Sequence, residues 1–151
     1  MKNSLFVFGI SFCLILCGCN ATNKIPNKPK TTTVKFQEGP PFYSLLDQSK
    51  NSNKIIFIDF YIVGCLPCKV MDETVFTEDI VYKYYNKNFI NVKMDGVSFD
   101  YYEVAKQYNV KEYPTLVYLD EMGNMLHSVS GSVSATKLLE IGKEVMAKRI
   151  L

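Results

Sequence analysis

The chain has 151 residues, a formal net charge of +2 at neutral pH, ten Tyr, ten Phe and no Trp. A balance so close to neutral offers no field for a polyphosphate backbone, and this excludes nucleic-acid binding. The length suffices for one compact domain with its own apolar core.

The N-terminus reads as a targeting segment. Met1, Lys2 and Asn3 form a short polar start with one positive charge, and Leu5 to Cys17 is an almost unbroken apolar run. Such a run is short for a bilayer span and fits the apolar region of a secretory signal. It ends in Leu16-Cys17-Gly18-Cys19, which resembles the bacterial lipobox. That resemblance implies cleavage before Cys19 and a lipid on its thiol. The alternatives are an ordinary signal peptide or an uncleaved anchor. Residues 1–18 are therefore expected to be a lipoprotein signal and residues 19–33, rich in Asn, Lys, Pro and Thr, a flexible tether. Residues 34–151 are left as the domain. A domain so anchored belongs in the cell envelope, facing the periplasm or an equivalent extracytoplasmic space.

Within the domain, Phe42, Leu45 and Leu46 fall on one side of a short helical pattern over 42–48. Ile55 to Ile62 is a continuous β-branched and aromatic run, the pattern of a fully buried central strand, with Asp59 as its anomaly. A turn at Gly64 leads to the cysteine pair and a helix through Val70 and Met71. A second helix is predicted from Thr77 to about Lys87, with Ile80, Val81, Tyr84 and Tyr85 at helical spacing. Then come a strand over Phe89 to Asp95 and a helix over Phe99 to Tyr108 with Tyr102, Ala105 and Tyr108 inward. A hairpin follows, with strands Thr115–Leu119 and Met125–Ser130 around a turn at Asp120 to Asn124. The terminal helix runs from Ser134, its cap, to about Lys148, with Leu138, Leu139, Ile141 and Val145 inward. The expected class is α/β, a central mixed sheet with helices on both faces.

Five cysteines are present, but Cys13 and Cys17 leave with the signal and Cys19 takes the lipid. Cys65 and Cys68 are the thiols left to the domain. A disulfide between them closes too small a loop to stabilise a fold much, so the pair points to chemistry. Two thiols three residues apart at a helix start can form a disulfide and still differ in character. Cys65, at the first helical position, would have its thiolate favoured by free backbone N–H groups and the helix dipole. Cys68 would sit one turn inward. Pro67 is tolerated in a first turn. Lys69 either adds positive charge or is plain helix surface. Three other readings stand beside this one. A zinc site needs four ligands, and His127 is the domain's one histidine, expected on the hairpin surface. An inert disulfide is the second. The third is a binding or copper-delivery module without turnover, since thiolates are soft ligands and six Met are present, most at core spacing. No cofactor and no metal are expected.

The order of Phe57-Ile58-Asp59-Phe60, Cys65-Leu66-Pro67-Cys68-Lys69, Tyr113-Pro114-Thr115 and Gly131-Ser132-Val133-Ser134 resembles the thioredoxin superfamily, and within it exported domains that work with membrane disulfide reductases. The likeness covers about residues 40–149. It implies a thioredoxin fold and a protein disulfide oxidoreductase, with Cys65 and Cys68 exchanging disulfides and Asp59 moving the proton of Cys68. It also implies a cis Pro114 against the disulfide, with Tyr113 and Gly64 contacting substrate. The implied partners are protein thiols and disulfides and a membrane-bound electron donor, with the chain acting as a monomer. Gly64 replaces the usual aromatic residue, Leu66-Pro67 the usual dipeptides, and Tyr113 a smaller residue. These departures bear on direction; reduction is the expectation.

Overall fold

The computed structural model describes residues 32–149. The signal peptide, the lipidation of Cys19 and the tether as far as residue 31 lie outside the described residues.

Five strands form one sheet: β1 (Gln37–Glu38), β2 (Ile55–Tyr61), β3 (Phe89–Asp95), β4 (Thr115–Leu119) and β5 (Met125–Ser130). Their order is β1-β3-β2-β4-β5. The helices are α1 (Phe42–Ser52), α2 (Leu66–Thr74), α3 (Asp79–Asn88), α4 (Tyr102–Gln107) and α5 (Ala135–Lys148). β2 pairs in parallel with β3 and antiparallel with β4, so it is central and buried on both faces. The mixed sheet expected from the sequence is observed.

Alternation along the strands assigns each side chain to a face. Phe57, Phe89, Leu116 and Tyr118 pack with Met71 of α2, Val81 and Tyr85 of α3, and Leu138, Ile141 and Val145 of α5. Ile56, Ile58, Phe60, Val92, Met94 and Val117 pack with Leu45 of α1 and Ala105 of α4. Helices thus cover both faces.

Several local expectations are corrected. α1 extends to Ser52 and ends where Asn53 turns left-handed at φ 52°; its last turn is polar, so hydrophobic spacing could not mark it. α4 begins at Tyr102, not Phe99, and Phe99 is fully exposed. Tyr101, tied by its hydroxyl to Pro40 O at 3.1 Å, takes the buried place expected of Tyr102. Ile80, in the first turn of α3, is exposed, while Leu139 is only half-buried. β1, two residues long, carries no periodicity from which it could be expected.

A buried polar link joins two tyrosines in the core. Tyr85 Oη lies 2.7 Å from Tyr118 Oη and donates to Leu138 O at 2.7 Å, joining α3, β4 and α5. Burial pushes both phenols above their usual pKa, so they stay neutral. Tyr85→Phe leaves the Tyr118 hydroxyl without its partner in an apolar layer. It is expected to cost about 1–3 kcal/mol, read as a lower denaturant midpoint with an unchanged m-value.

Candidate active site

The sheet brings three segments together at one end. β2 ends at Tyr61 and the chain turns at Gly64, whose φ of +82° suits a residue without a Cβ. Cys65 follows as the N-cap of α2, with Leu66 the first helical residue, one position later than the sequence suggests. The Cys65 Sγ accepts the Cys68 N–H at 3.2 Å, so the sulfur itself caps one of the free donors of the helix start. Cys65 and Cys68 are joined as a disulfide with Cα atoms 5.3 Å apart. The two sulfurs differ in access: Cys65 is half-buried, whereas Cys68 is 4% exposed.

A cleft of about 390 Å³ opens over the pair, lined among others by Val63, Gly64, Leu66, Lys69 and Asp72. Val63 and Leu66 are largely exposed and give it an apolar rim. Lys69 is paired with Glu73 at 3.7 Å on the exposed helix face. The Tyr113–Pro114 peptide is cis, and Pro114 is buried at the start of β4. The segment after β5 ties this proline to the cysteine turn. Gly131 N donates to Pro114 O at 2.8 Å, and Ser132 Oγ donates to Pro67 O at 3.4 Å.

Behind the pair, Asp59 lies on the sheet face that α2 covers and is 1% exposed. The parallel register sets Lys93 of β3 beside it. The Lys93 ammonium donates to Asp72 Oδ1 of α2 at 2.5 Å and lies 3.3 Å from Asp59 Oδ2. The longer contact is not aligned as a hydrogen bond, and neither oxygen of Asp59 has a hydrogen-bond partner. Burial therefore dominates. It pushes the Asp59 carboxyl up to about 6 from 3.8, against the charge of Lys93, which pulls it down. Burial also works against the Lys93 charge, but Asp59 and Asp72 outweigh it and its pKa is raised.

A family model for the thioredoxin-like domain matches residues 42–146. The chain belongs to this family. Among curated relatives, thioredoxin H7 of Arabidopsis thaliana is 32% identical over 99 residues, 66% of this chain and 71% of that protein. The thiol:disulfide interchange protein DsbD of Campylobacter jejuni is 29% identical over 100 residues, 66% of this chain but 18% of its own. Among solved structures, a candidate disulphide-isomerase from Bacteroides thetaiotaomicron matches at a TM-score of 0.69 and 30% identity, covering 78% of this chain and 96% of that one. The thioredoxin-like domain of this chain is thus a thiol-disulfide oxidoreductase fold with Cys65 and Cys68 at disulfide distance.

The structure assembles Gly64, Cys65 and Cys68 in one cleft and joins Pro114 to them through residues 131 and 132. Tyr113 precedes that proline, half-buried, with its ring against Gly96. His127 lies on β5, half-buried beside Tyr118 rather than isolated on the surface, and burial lowers its pKa. Of the methionines, Met71 and Met94 are fully buried, while Met122 and Met125 sit exposed at the hairpin. Sequence reasoning passed over Lys93 and Asp72. The signal was available: Lys93 is a charge within an apolar strand, and Asp72 is one helical turn beyond Cys68.

The raised pKa of Asp59 sets the sign of a stability effect. The folded state holds its proton to about pH 6 and the unfolded chain only to about 4, so stability falls as pH rises through that window. Asp59→Asn removes the cost of the buried charge and leaves Lys93 its Asp72 partner. In the oxidised protein it is expected to gain up to about 3 kcal/mol at pH 8 and nothing near pH 4, read from denaturant midpoints across that range.

Proposed function

We propose that this chain is a lipid-anchored, monomeric thiol-disulfide oxidoreductase that reduces disulfides of exported proteins through Cys65 and Cys68. The observation that carries the reading is the asymmetry of the pair. One sulfur caps α2 in an open cleft, and the other is shielded one turn inward.

In the reduced state the free N–H groups at the start of α2 favour the Cys65 thiolate. This thiolate attacks one sulfur of a substrate disulfide. A mixed disulfide forms, the substrate S–S bond breaks, and the first substrate thiolate leaves and takes a proton. Cys68 then passes its proton toward the Asp59 carboxylate and attacks the Cys65 sulfur. The second substrate thiolate leaves, and two electrons have passed from the pair to the substrate. Asp59, with a pKa of about 6, is mostly ionised at neutral pH and can receive that proton. The cis-proline segment and Tyr113 offer backbone against which an extended substrate can lie. A membrane-bound dithiol donor returns the two electrons to the Cys65–Cys68 disulfide. The thioredoxin and interchange-protein relatives support the exchange chemistry; the reducing direction is part of the proposal. Acylation of Cys19 and an extracytoplasmic location rest on the lipobox alone.

Cys68→Ala removes the resolving thiol, so mixed disulfides through Cys65 should accumulate on cell-envelope proteins and disappear in Cys65→Ala/Cys68→Ala. If the variant traps no partner and the wild type binds Cu(I) tightly, the enzyme reading gives way to copper delivery. Direction is tested by the equilibrium potential of the pair. A value near about −270 mV supports reduction, and one near about −120 mV overturns it.

A further inference from the structure

Gly96 lies just beyond β3, and its N–H donates to Tyr61 O at 2.9 Å, which fixes its backbone to the end of β2. The Tyr113 ring is laid against this glycine. A Cβ on Gly96 would stand 2.5 Å from Tyr113 Oη, 2.6 Å from Cε1 and 2.9 Å from Cζ. Contacts so short do not occur, so the ring can hold this place only because residue 96 has no side chain. Gly96 has an ordinary negative-side backbone, so close approach, not conformational freedom, is what requires a glycine here.

The seated ring forms one wall of a second cleft, of about 200 Å³, separate from the one over the disulfide. Tyr102 faces it from α4, and the charged residues in its walls are Lys106 and Lys111. Lys106 makes an exposed contact of 3.6 Å with Glu103, too solvated to neutralise it firmly. Asp95, whose side chain caps Val97 N, is close enough to act on the Tyr113 phenol but does not line the cleft.

We propose that Gly96 is a positioning residue that seats the Tyr113 ring as the wall of a substrate cleft, and that this cleft takes an acidic side chain flanking the reactive cysteine of a polypeptide substrate. The proposal rests on the oxidoreductase reading and names its substrate class. Aromatic walls would cover the methylenes of a Glu or Asp side chain, and the two ammonium groups would meet its carboxylate. Tyr113 lines the cleft and adjoins Pro114, which is itself tied to the cysteine turn, so the cleft opens beside the cis-proline segment assigned above to the substrate chain. The cleft contributes binding only; bonds and electrons move as in the exchange above.

The test uses the reduced protein and synthetic peptide disulfides in which Glu, Ala or Lys is scanned over two residues on each side of the cysteine. At one position the Glu peptide should react about fivefold faster than the Lys peptide, as a partly exposed charge pair allows. Lys106→Gln/Lys111→Gln, at exposed positions where folding is not at issue, should bring that ratio close to one. Gly96→Ala should also reduce it, by displacing the ring, but should have no further effect on the ratio in a Tyr113→Leu background. An absence of charge preference at every position overturns the proposal, as does a ratio unchanged by the lysine substitutions. An equal effect of Gly96→Ala in both backgrounds overturns the role of Gly96. If no peptide disulfide reacts at all, the oxidoreductase reading fails, and the substrate class fails with it.

Discussion

The register of β2 against β3 is the constraint from which the site follows. It sets Asp59 beside Lys93 and, across the antiparallel pair, beside Leu116. A slip of one residue would turn Asp59 to the other face, among Leu45, Ile90 and Val117 and away from Lys93. In the observed register the carboxyl faces α2, the helix that carries Cys68, Met71 and Asp72. Lys93 is then shared between two carboxylates and points its hydrogen bond at the more exposed one. This division explains why a carboxyl with a lysine 3.3 Å away still has a raised pKa. The ammonium offsets part of the cost of burial without cancelling it, and the result is a group that gains and loses a proton near neutral pH.

Apart from Asp59 and Lys93 on the sheet and Cys68 in α2, the residues of the site sit on the connections around that strand. Gly64 and Cys65 follow β2, Pro114 precedes β4, Gly131 and Ser132 follow β5, and Gly96 follows β3. All converge because β2, β3 and β4 are neighbours and their connected ends are held by backbone bonds such as Gly96 N to Tyr61 O and Gly131 N to Pro114 O. A rigid centre with short functional turns at its rim keeps reactive groups in place while leaving them open to a substrate.

The same division decides what the sequence could disclose. β2 was legible as a run of β-branched and aromatic residues that suits burial on both faces, and the cysteine pair because it stands between that run and a helical pattern. Asp59 stood out as a polar residue in an apolar run. The partner residues did not. Lys93 and Asp72 are 21 residues apart, and only the parallel pairing and the packing of α2 make them neighbours. Gly96 carries no sign of its role, since a glycine after a strand is as readily a turn. In the segment from Phe99 to Tyr108, three tyrosines and a phenylalanine offer several apolar stripes. The contact of Tyr101 with Pro40, 61 residues away, selects among them. Hydrophobic spacing cannot see a choice made at that distance.

The disulfide itself contributes little to holding the domain together. Its loop spans three residues, so opening it returns almost no conformational freedom to the unfolded chain. The fold is held instead by two apolar layers. One of them is a continuous aromatic cluster in which Phe57 contacts Phe36, Phe76, Tyr85, Phe89 and Tyr118 with ring centroids 4.8–6.4 Å apart. None of these contacts involves a sulfur of the pair. Opening the disulfide would break none of them, and the sulfur of Cys65 would stay at the start of α2, where free N–H groups and the helix dipole favour negative charge. A pair that can open and close without disturbing the fold is free to cycle, which a structural cross-link could not do.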